Sequence, residues 1–283
     1  MTAPSCILSI IIPCYNHGSY IQEALDSIKK EEIRFPYEVI IVDDGSTDTQ
    51  TLAKLEALKR QSFTVIHQQN GGPAAARNTA IQHANGKYIL PLDADNKITS
   101  AYINVGIPLL EEGKYQIIYC TPLFFGELAG SARRFTSKPF DITILLEENY
   151  IDCCSLFTKE VWIKNNGFDT RIPYYGHEDW EFWINAYSNG FKFLFLQEHL
   201  FYYRILVNSE ADKFKDENKL IADHQYILKK HSALFIKQYQ KLSYIKRKYI
   251  ADINLLIFAP FIFIGYKLGL VKSPFKKAAT RFE

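Results

Sequence analysis

Residues 87–96 read KYILPLDADN, an apolar run that ends in two aspartates on alternate positions. The apolar part predicts a buried strand, whereas carboxylates are uncommon in strands and costly to bury. If the strand continues through Asp93 and Asp95, both side chains point the same way, because residues i and i+2 of an extended segment share a face. Two such carboxylates repel each other unless a cation lies beside them, and oxygen ligands favour Mg²⁺ or Mn²⁺. The alternative is a solvated loop after the strand.

Outward from this stretch, apolar runs alternate with amphipathic ones. Predicted strands at 6–13, 37–46 and 63–68 are each followed by a predicted helix, at 19–30, 47–60 and 72–84. Later segments predict a helix at 102–113 and one strand at 115–125. The alternation predicts an α/β fold with a mainly parallel sheet covered by helices on both faces. In the second helix we expect Leu52, Leu55 and Leu58 to face the core.

Composition limits the class of protein. The chain has 283 residues, 47% of them hydrophobic, and a net charge of +2, so a nucleic-acid partner is not expected. The five cysteines are an odd number without a C-x-x-C pair, which favours reduced, mostly buried thiols in a cytosolic protein. The first apolar run stops at Pro13 and is expected to be too short for a signal sequence or a membrane span.

Polar residues follow two further predicted strands. The first strand ends in PCYN (13–16) and the second in VDDGSTD (42–48). In open parallel sheets, ligands bind outside the carboxyl ends of the strands. Asp43 and Asp44 could therefore line a binding site, although a turn or a helix cap would also explain them.

Two later motifs carry charge at predicted helix starts. In GGPAAARN (71–78), amides and the Arg77 guanidinium could meet phosphate oxygens, or Arg77 could form a surface salt bridge. In GHEDWEFW (176–183), the acids could act chemically or simply favour the helix dipole. Walker A, dinucleotide-binding and H-E-x-x-H patterns are absent from the sequence.

Taken in order, these motifs resemble a known family. The chain resembles the family-two inverting nucleotide-sugar glycosyltransferases, which have the Rossmann-like GT-A fold. The likeness covers roughly residues 7–210 and rests on seven motifs: SIIIPCYN, VDDGSTD, NGGPAAARN, LDADN, GFD, GHEDWEFW and YYR. Residues 1–210 would then be the catalytic domain, with a nucleotide-sugar half at about 1–97 and an acceptor half at about 98–210. The polar, helical period of the sequence that follows predicts a helical C-terminal extension at 211–283.

The resemblance also implies roles for individual residues. The nucleoside pocket would be lined by Pro13, Tyr15 and Asp44, with Asp44 accepting a hydrogen bond from the uracil ring and with Asn16 and Asp43 as accessory residues. Arg77 would lie near the phosphates of the donor. Asp93 would lie near the ribose and the metal, and Asp95 would bind the divalent ion. Asp179 would be the general base, with Glu178 beside it.

The implied activity is metal-dependent, inverting transfer of one sugar, from a UDP-sugar to a glycan or lipid-linked acceptor, in cell-surface polysaccharide synthesis. A non-catalytic sugar-nucleotide or glycan-binding protein and a nucleotidyltransferase are the alternatives. Many family members have a metal-binding histidine two residues after the YR pair, but this chain has Leu206 there. The ion would then be held more loosely, or by His199 or Asn208.

An apolar segment at 252–271 has basic residues on both sides. It suits the surface of an anionic membrane, which would make the protein cytoplasmic and peripheral on the inner face. Alternatively, residues 252–271 could pack against the catalytic domain or in a dimer, or they could span a membrane.

Overall fold

The first part of the chain forms the predicted parallel sheet. The computed structural model describes residues 6–30, 33–127, 135–206 and 216–267. Its first four strands are β1 (Leu8–Cys14), β2 (Tyr37–Asp43), β3 (Thr64–His67) and β4 (Tyr88–Pro91), and the helices between them are α1 (Ile21–Lys30), α2 (Thr49–Arg60) and α3 (Gly72–His83). Strand β1 pairs in parallel with both β2 and β4, and β2 with β3. The polar ends of β1, β2 and β4 therefore gather at one edge.

The second part completes this sheet and adds a smaller one. Its elements are β5 (Lys97–Ile98), α4 (Ser100–Glu111), β6 (Ile117–Cys120), β7 (Leu123–Phe125), α5 (Ile142–Glu147), β8 (Leu156–Thr158), α6 (Lys159–Asn165), α7 (Glu178–Ser188), β9 (Phe193–Leu196) and β10 (Phe201–Arg204). Among the described residues the large sheet has the order β3-β2-β1-β4-β8-β6-β9, and the small sheet β5-β10-β7. Of the described strands in the large sheet, only β8 runs antiparallel to its neighbours. The mixed, mainly parallel α/β fold is confirmed.

The core lies between the large sheet and its helices. Nearly every residue of β1 is buried, as expected of a strand covered on both faces. Helix α1 buries an apolar face, which consists of Ile21, Ala24, Leu25 and Ile28. All five cysteines are free thiols, and four of them are buried.

The predicted core face of α2 is partly wrong. Leu55 and Leu58 are buried, but Leu52 is 36% exposed and Thr51 is buried in its place. The Oγ1 atom of Thr51 accepts a hydrogen bond from the amide of Gly18 at 2.8 Å. This bond turns Thr51 inward, so the face follows positions i, i+4 and i+7 from Thr51.

Two predicted strands end earlier than expected. Strand β4 ends at Pro91, and Asp93 to Asn96 form a turn closed by a hydrogen bond from Asn96 N to Asp93 O at 3.0 Å. Asp and Asn favour turns because their side chains bond to nearby backbone. The common direction predicted for Asp93 and Asp95 on an extended strand is therefore wrong. Likewise, 115–125 forms two strands in different sheets, interrupted near Pro122, which has no amide hydrogen to donate.

Two helices follow the small sheet, α8 (Glu217–Lys230) and α9 (Ser232–Lys267). The chain divides into two compact units, Met1–His231 and Ser232–Glu283, so α8 belongs to the first. The predicted boundary at residue 210 lies within 207–215, outside the described residues, and stays a prediction. Over the ranges that the structure describes, no helix is long and apolar enough to cross a membrane.

Candidate functional site

The loop after β1 combines an exposed ring with a structural asparagine. Tyr15 is 44% exposed, so its ring is available to a ligand, and Pro13 is half-buried beside it. Asn16 has a left-handed backbone (φ 55°), and its Oδ1 accepts hydrogen bonds from the amides of Thr47 and Asp48 at 2.9 and 3.0 Å. Asn16 therefore ties the β1 loop to the β2 loop.

Asp43, the last residue of β2, has a local structural role. Its Oδ1 accepts a hydrogen bond from Ser46 N at 3.0 Å, and its Oδ2 lies 3.0 Å from His67 Nδ1. The side chain is buried. Asp43 thus stabilises the turn after β2, which agrees with the turn offered in the sequence analysis as an alternative to a binding role.

The next residue, Asp44, binds the start of α3. Its carboxylate accepts hydrogen bonds from the amides of Gly71 and Gly72 at 2.9 and 2.8 Å, and from Gln68 Nε2 at 2.7 Å. A carboxylate is stabilised at this position by the helix dipole. These amides were predicted to meet phosphate oxygens, but here they bond to Asp44. Asp44 itself lies at the predicted edge, beside the loop that carries Tyr15.

Arg77 on α3 forms a buried bridge between two acids. Its Nη2 lies 2.8 Å from Asp93 Oδ1, and its Nη1 lies 2.6 Å from Glu178 Oε1. The other oxygen of Glu178 accepts a hydrogen bond from Gly176 N at 2.7 Å. The predicted surface salt bridge is therefore wrong, because Arg77 and Glu178 are buried, while the Asp93 side chain is 32% exposed. Arg77 therefore joins the turn after β4 to the start of α7.

The turn that carries Asp93 and Asp95 is also held from β10. The Nε of Arg204 donates to Asp95 O at 2.9 Å, and the Asn96 side chain accepts the Arg204 amide at 2.8 Å. Burial and the nearby Asp93 carboxylate raise the pKa of Asp95 to about 6. The two acids therefore lie close enough to repel each other, although they do not share a strand face.

Asp179 lies in the first turn of α7 and is half-buried. Burial and the neighbouring Glu178 raise its pKa well above the usual value. Its Oδ1 accepts a hydrogen bond from Trp180 N at 2.7 Å. A carboxylate with a raised pKa is a stronger base in its ionised form.

A further carboxylate near this site was missed from the sequence. Burial and the charge of Asp93 raise the pKa of Asp152 to about 7, and Asp95 contributes in the same direction. Its Oδ1 is held by the amide of Cys154 at 2.7 Å. In the sequence Asp152 stands alone before two cysteines, so no spacing pattern pointed to it.

Helix α8 fixes the loop that leads into α7. The fully buried carboxylate of Asp223 accepts a hydrogen bond from Tyr174 N at 2.9 Å and lies 3.0 Å from His177 Nδ1. His177 directly precedes Glu178 and Asp179. This contact was not predictable from the sequence, because residues 211–283 were predicted to form an extension separate from the catalytic domain.

The donor set for a metal ion is incomplete. Within the described ranges, no group of three or more His, Cys, Asp or Glu side chains is arranged to hold one. His199 Nδ1 lies 3.0 Å from Thr121 O, and Asn208 lies outside the described residues. Asp93 and Asp95 nevertheless offer hard oxygens, which fit Mg²⁺ or Mn²⁺ when a ligand's phosphates complete the shell.

The sequence of this chain matches a known family model and is similar to several characterised proteins. Residues 9–164, more than half of the chain, match the sequence model described as Glycosyl transferase family 2. GgaB of Bacillus subtilis (strain 168), a minor teichoic acid biosynthesis protein, is 30% identical over 230 residues, which are 77% of this chain and 25% of GgaB. The poly(ribitol-phosphate) beta-glucosyltransferase of Bacillus spizizenii is 30% identical over 216 residues, 72% of this chain and 33% of the relative. The chain thus spans a third or less of either relative.

A solved structure shares the fold. The crystal structure of S. aureus TarS 1-349 in complex with UDP-GlcNAc superimposes with a TM-score of 0.58 at 23% identity, covering 73% of this chain and 60% of that one. At this identity the likeness concerns the fold alone.

Proposed function

Because this chain belongs to glycosyl transferase family 2 and is a glycosyltransferase, we propose that it transfers one sugar with inversion from a nucleotide-sugar to a glycan or lipid-linked acceptor. The membership confirms the enzyme class predicted from the motifs. The observation that carries the mechanism is the Arg77 bridge, which holds Asp93 and Glu178 to one guanidinium. It keeps the acids predicted to serve the leaving group close to the start of α7, where the predicted base lies.

Asp179 is the group we assign to the acceptor proton. Inversion requires a base on the face opposite the leaving diphosphate, because the acceptor oxygen attacks as the glycosidic bond breaks. Glu178 is held at Oε1 by Arg77 and at Oε2 by Gly176 N, and in our proposal it positions its neighbour Asp179. Asp179 Oδ1 accepts the Trp180 amide, and Oδ2 takes the proton in our proposal.

On the donor side, we assign the base-binding role to Tyr15, Pro13 and Asp44, at the ends of β1 and β2. An exposed tyrosine can stack on a nucleobase. UDP is the proposed nucleotide, supported by the UDP-GlcNAc complex of the fold relative TarS. A role in cell-surface polysaccharide synthesis is supported by the teichoic acid biosynthesis protein GgaB among the relatives.

Asp95 and Asp93 are the residues we propose to hold a divalent ion. Bound Mg²⁺ or Mn²⁺ would neutralise the charge that develops on the departing diphosphate. Asp93 commits Oδ1 to Arg77, so Asp95 is the principal protein ligand.

We expect Asp179→Asn to abolish transfer while leaving UDP affinity unchanged, since the amide is no base but keeps the shape of the side chain. Release of UDP from candidate UDP-sugars measures transfer, and calorimetry measures binding. The matched control is Asp26→Asn on α1, whose carboxylate bonds to Gln22 of the same helix. An unaffected transfer rate would remove Asp179 as the base, and release of pyrophosphate in place of UDP would contradict the proposed reaction.

Metal binding has a test that does not depend on turnover. With UDP present, Mn²⁺ should raise the melting temperature of the wild type and of Asp26→Asn, but much less that of Asp95→Asn. An equal rise in Asp95→Asn would show that the ion binds elsewhere.

A further inference from the structure

The first half of α9 is strongly basic and contains no acid. Between residues 232 and 251 the sequence has no Asp or Glu and five basic residues, which are Lys237, Lys241, Lys246, Arg247 and Lys248. Such a segment carries a local positive charge although the whole chain is nearly neutral, at +2.

The same segment exposes large apolar side chains along one side. The exposed apolar side chains on that side are Ile236, Tyr239, Leu242, Ile245, Tyr249 and Ile250. At about 100° per residue, these six positions share one half of the helix circumference. Four of the five basic residues occupy the other half, together with Tyr244, which is 65% exposed. The segment is therefore amphipathic, with an apolar half and a basic half.

We propose that residues 232–250 bind an anionic membrane surface, with the apolar half of α9 inserted at the headgroup boundary. Helices that lie in this plane combine an aromatic and aliphatic side with a Lys- and Arg-rich side. Tyrosine suits that depth because its ring is apolar and its hydroxyl remains wet. Lys246, within the apolar half, has a stem long enough to reach the lipid phosphates.

Charge decides between a membrane and a second copy of the helix. Two copies packed through the apolar half of 232–250 would bring Lys246 of each copy into the contact, without a carboxylate of the same segment to pair it. An anionic lipid surface instead attracts each basic residue of the segment within a Debye length.

The test uses the full chain and two matched tyrosines. Tyr239 is 72% exposed on the apolar half, and Tyr244 is 65% exposed on the basic half. We expect the wild type to sediment with vesicles of phosphatidylglycerol and phosphatidylcholine, and much less with phosphatidylcholine alone. The double variant Tyr239→Ser/Leu242→Ser should weaken binding by about tenfold or more, since two apolar side chains are lost. Tyr244→Ser should bind like the wild type.

Charge reversal provides a second arm. Lys237→Glu/Lys241→Glu should lose binding to the anionic vesicles, and added salt should weaken the wild type in the same way. Equal binding by Tyr239→Ser/Leu242→Ser and Tyr244→Ser would overturn the proposal. So would a Tyr239-dependent dimer in sedimentation velocity without vesicle binding. These experiments measure vesicle binding and oligomeric state, and not sugar transfer. A failure of the membrane proposal would therefore be distinguishable from a failure of the proposed function.

Discussion

Arg77 is the residue on which the arrangement of the site depends most. Its side chain is 5% exposed and both of its partners are acids. A buried charge pair contributes little net stability, but removing one partner leaves charge uncompensated in a poorly solvated place. At Arg77 the loss would leave Asp93 and Glu178 facing each other without a cation between them.

We therefore expect Arg77→Met to lower the free energy of unfolding by about 3 kcal/mol or more, and to abolish transfer. Urea unfolding measures the stability. Arg171→Met is the matched control, because Arg171 also pairs with a buried aspartate, Asp169, but its side chain is 74% exposed. If both variants lost the same free energy of unfolding, burial of the Arg77 bridge would not increase its contribution to stability.

The site residues were only partly predictable at this scale. Acids after a predicted strand pointed to Asp93 and Asp95 at one edge of the sheet, whereas Asp179 stands at a predicted helix start and was assigned only through the family resemblance. The partner of Arg77 could not be predicted, because Glu178 lies 101 residues away along the chain. Asp152 carried no pattern at all.

Among the elements, α8 has an influence that its sequence does not reveal. Asp223 on this helix contacts Tyr174 and His177, as described above. In addition, Nζ of Lys230, the last residue of α8, lies 2.6 Å from Asp169 Oδ2 and 2.7 Å from Glu181 Oε1. Glu181 is a buried residue of α7. Helix α8 therefore fixes both the loop before α7 and α7 itself.

For Asp223→Asn we expect the transfer rate to fall about tenfold or more, with UDP affinity unchanged, because a misplaced base slows the proton transfer without touching the donor. Initial rates and calorimetry separate the two quantities. Asp216→Asn is the control on the same helix, since the Asp216 side chain caps α8 through Asn218 N and is exposed. A loss of UDP affinity in Asp223→Asn would point instead to general disorder of the site.

Elements with a clear hydrophobic period were predictable, and their ends were not. Strands β1 to β3 and helices α1 to α3 lie where the alternation placed them. The end of β4 was missed because LDADN alternates as a strand does, whereas the turn that closes it depends on backbone bonding. Leu52 was misplaced because a hydroxyl, Thr51, took the buried position.

At the scale of the whole molecule, pH acts on stability through Asp169. Burial raises the pKa of Asp169, but hydrogen bonds from Arg171 and Lys230 outweigh it and hold the pKa below the ordinary value of 3.8. A carboxyl with a depressed folded-state pKa stabilises the fold above its unfolded-state pKa, and this stabilisation is lost as the pH falls through the folded-state value.

Asp169→Asn should therefore cost more stability at neutral pH than at about pH 3, because the wild type begins to lose the same interaction in acid. Urea unfolding of both proteins at the two pH values measures the difference. A cost that does not change with pH would show that the ionised form of Asp169 contributes nothing special.

The shared guanidinium of Arg77 also has a consequence for the order of events during turnover. A substrate that attracts Asp93 weakens its hold on Arg77 and leaves more of that positive charge to Glu178, next to Asp179. If Asp93 serves the donor and Asp179 the acceptor, as we propose, we expect Arg77 to couple the binding of the two substrates. Thermodynamic linkage is reciprocal. We therefore expect the donor to change the affinity for the acceptor, and the acceptor to change the affinity for the donor by the same factor.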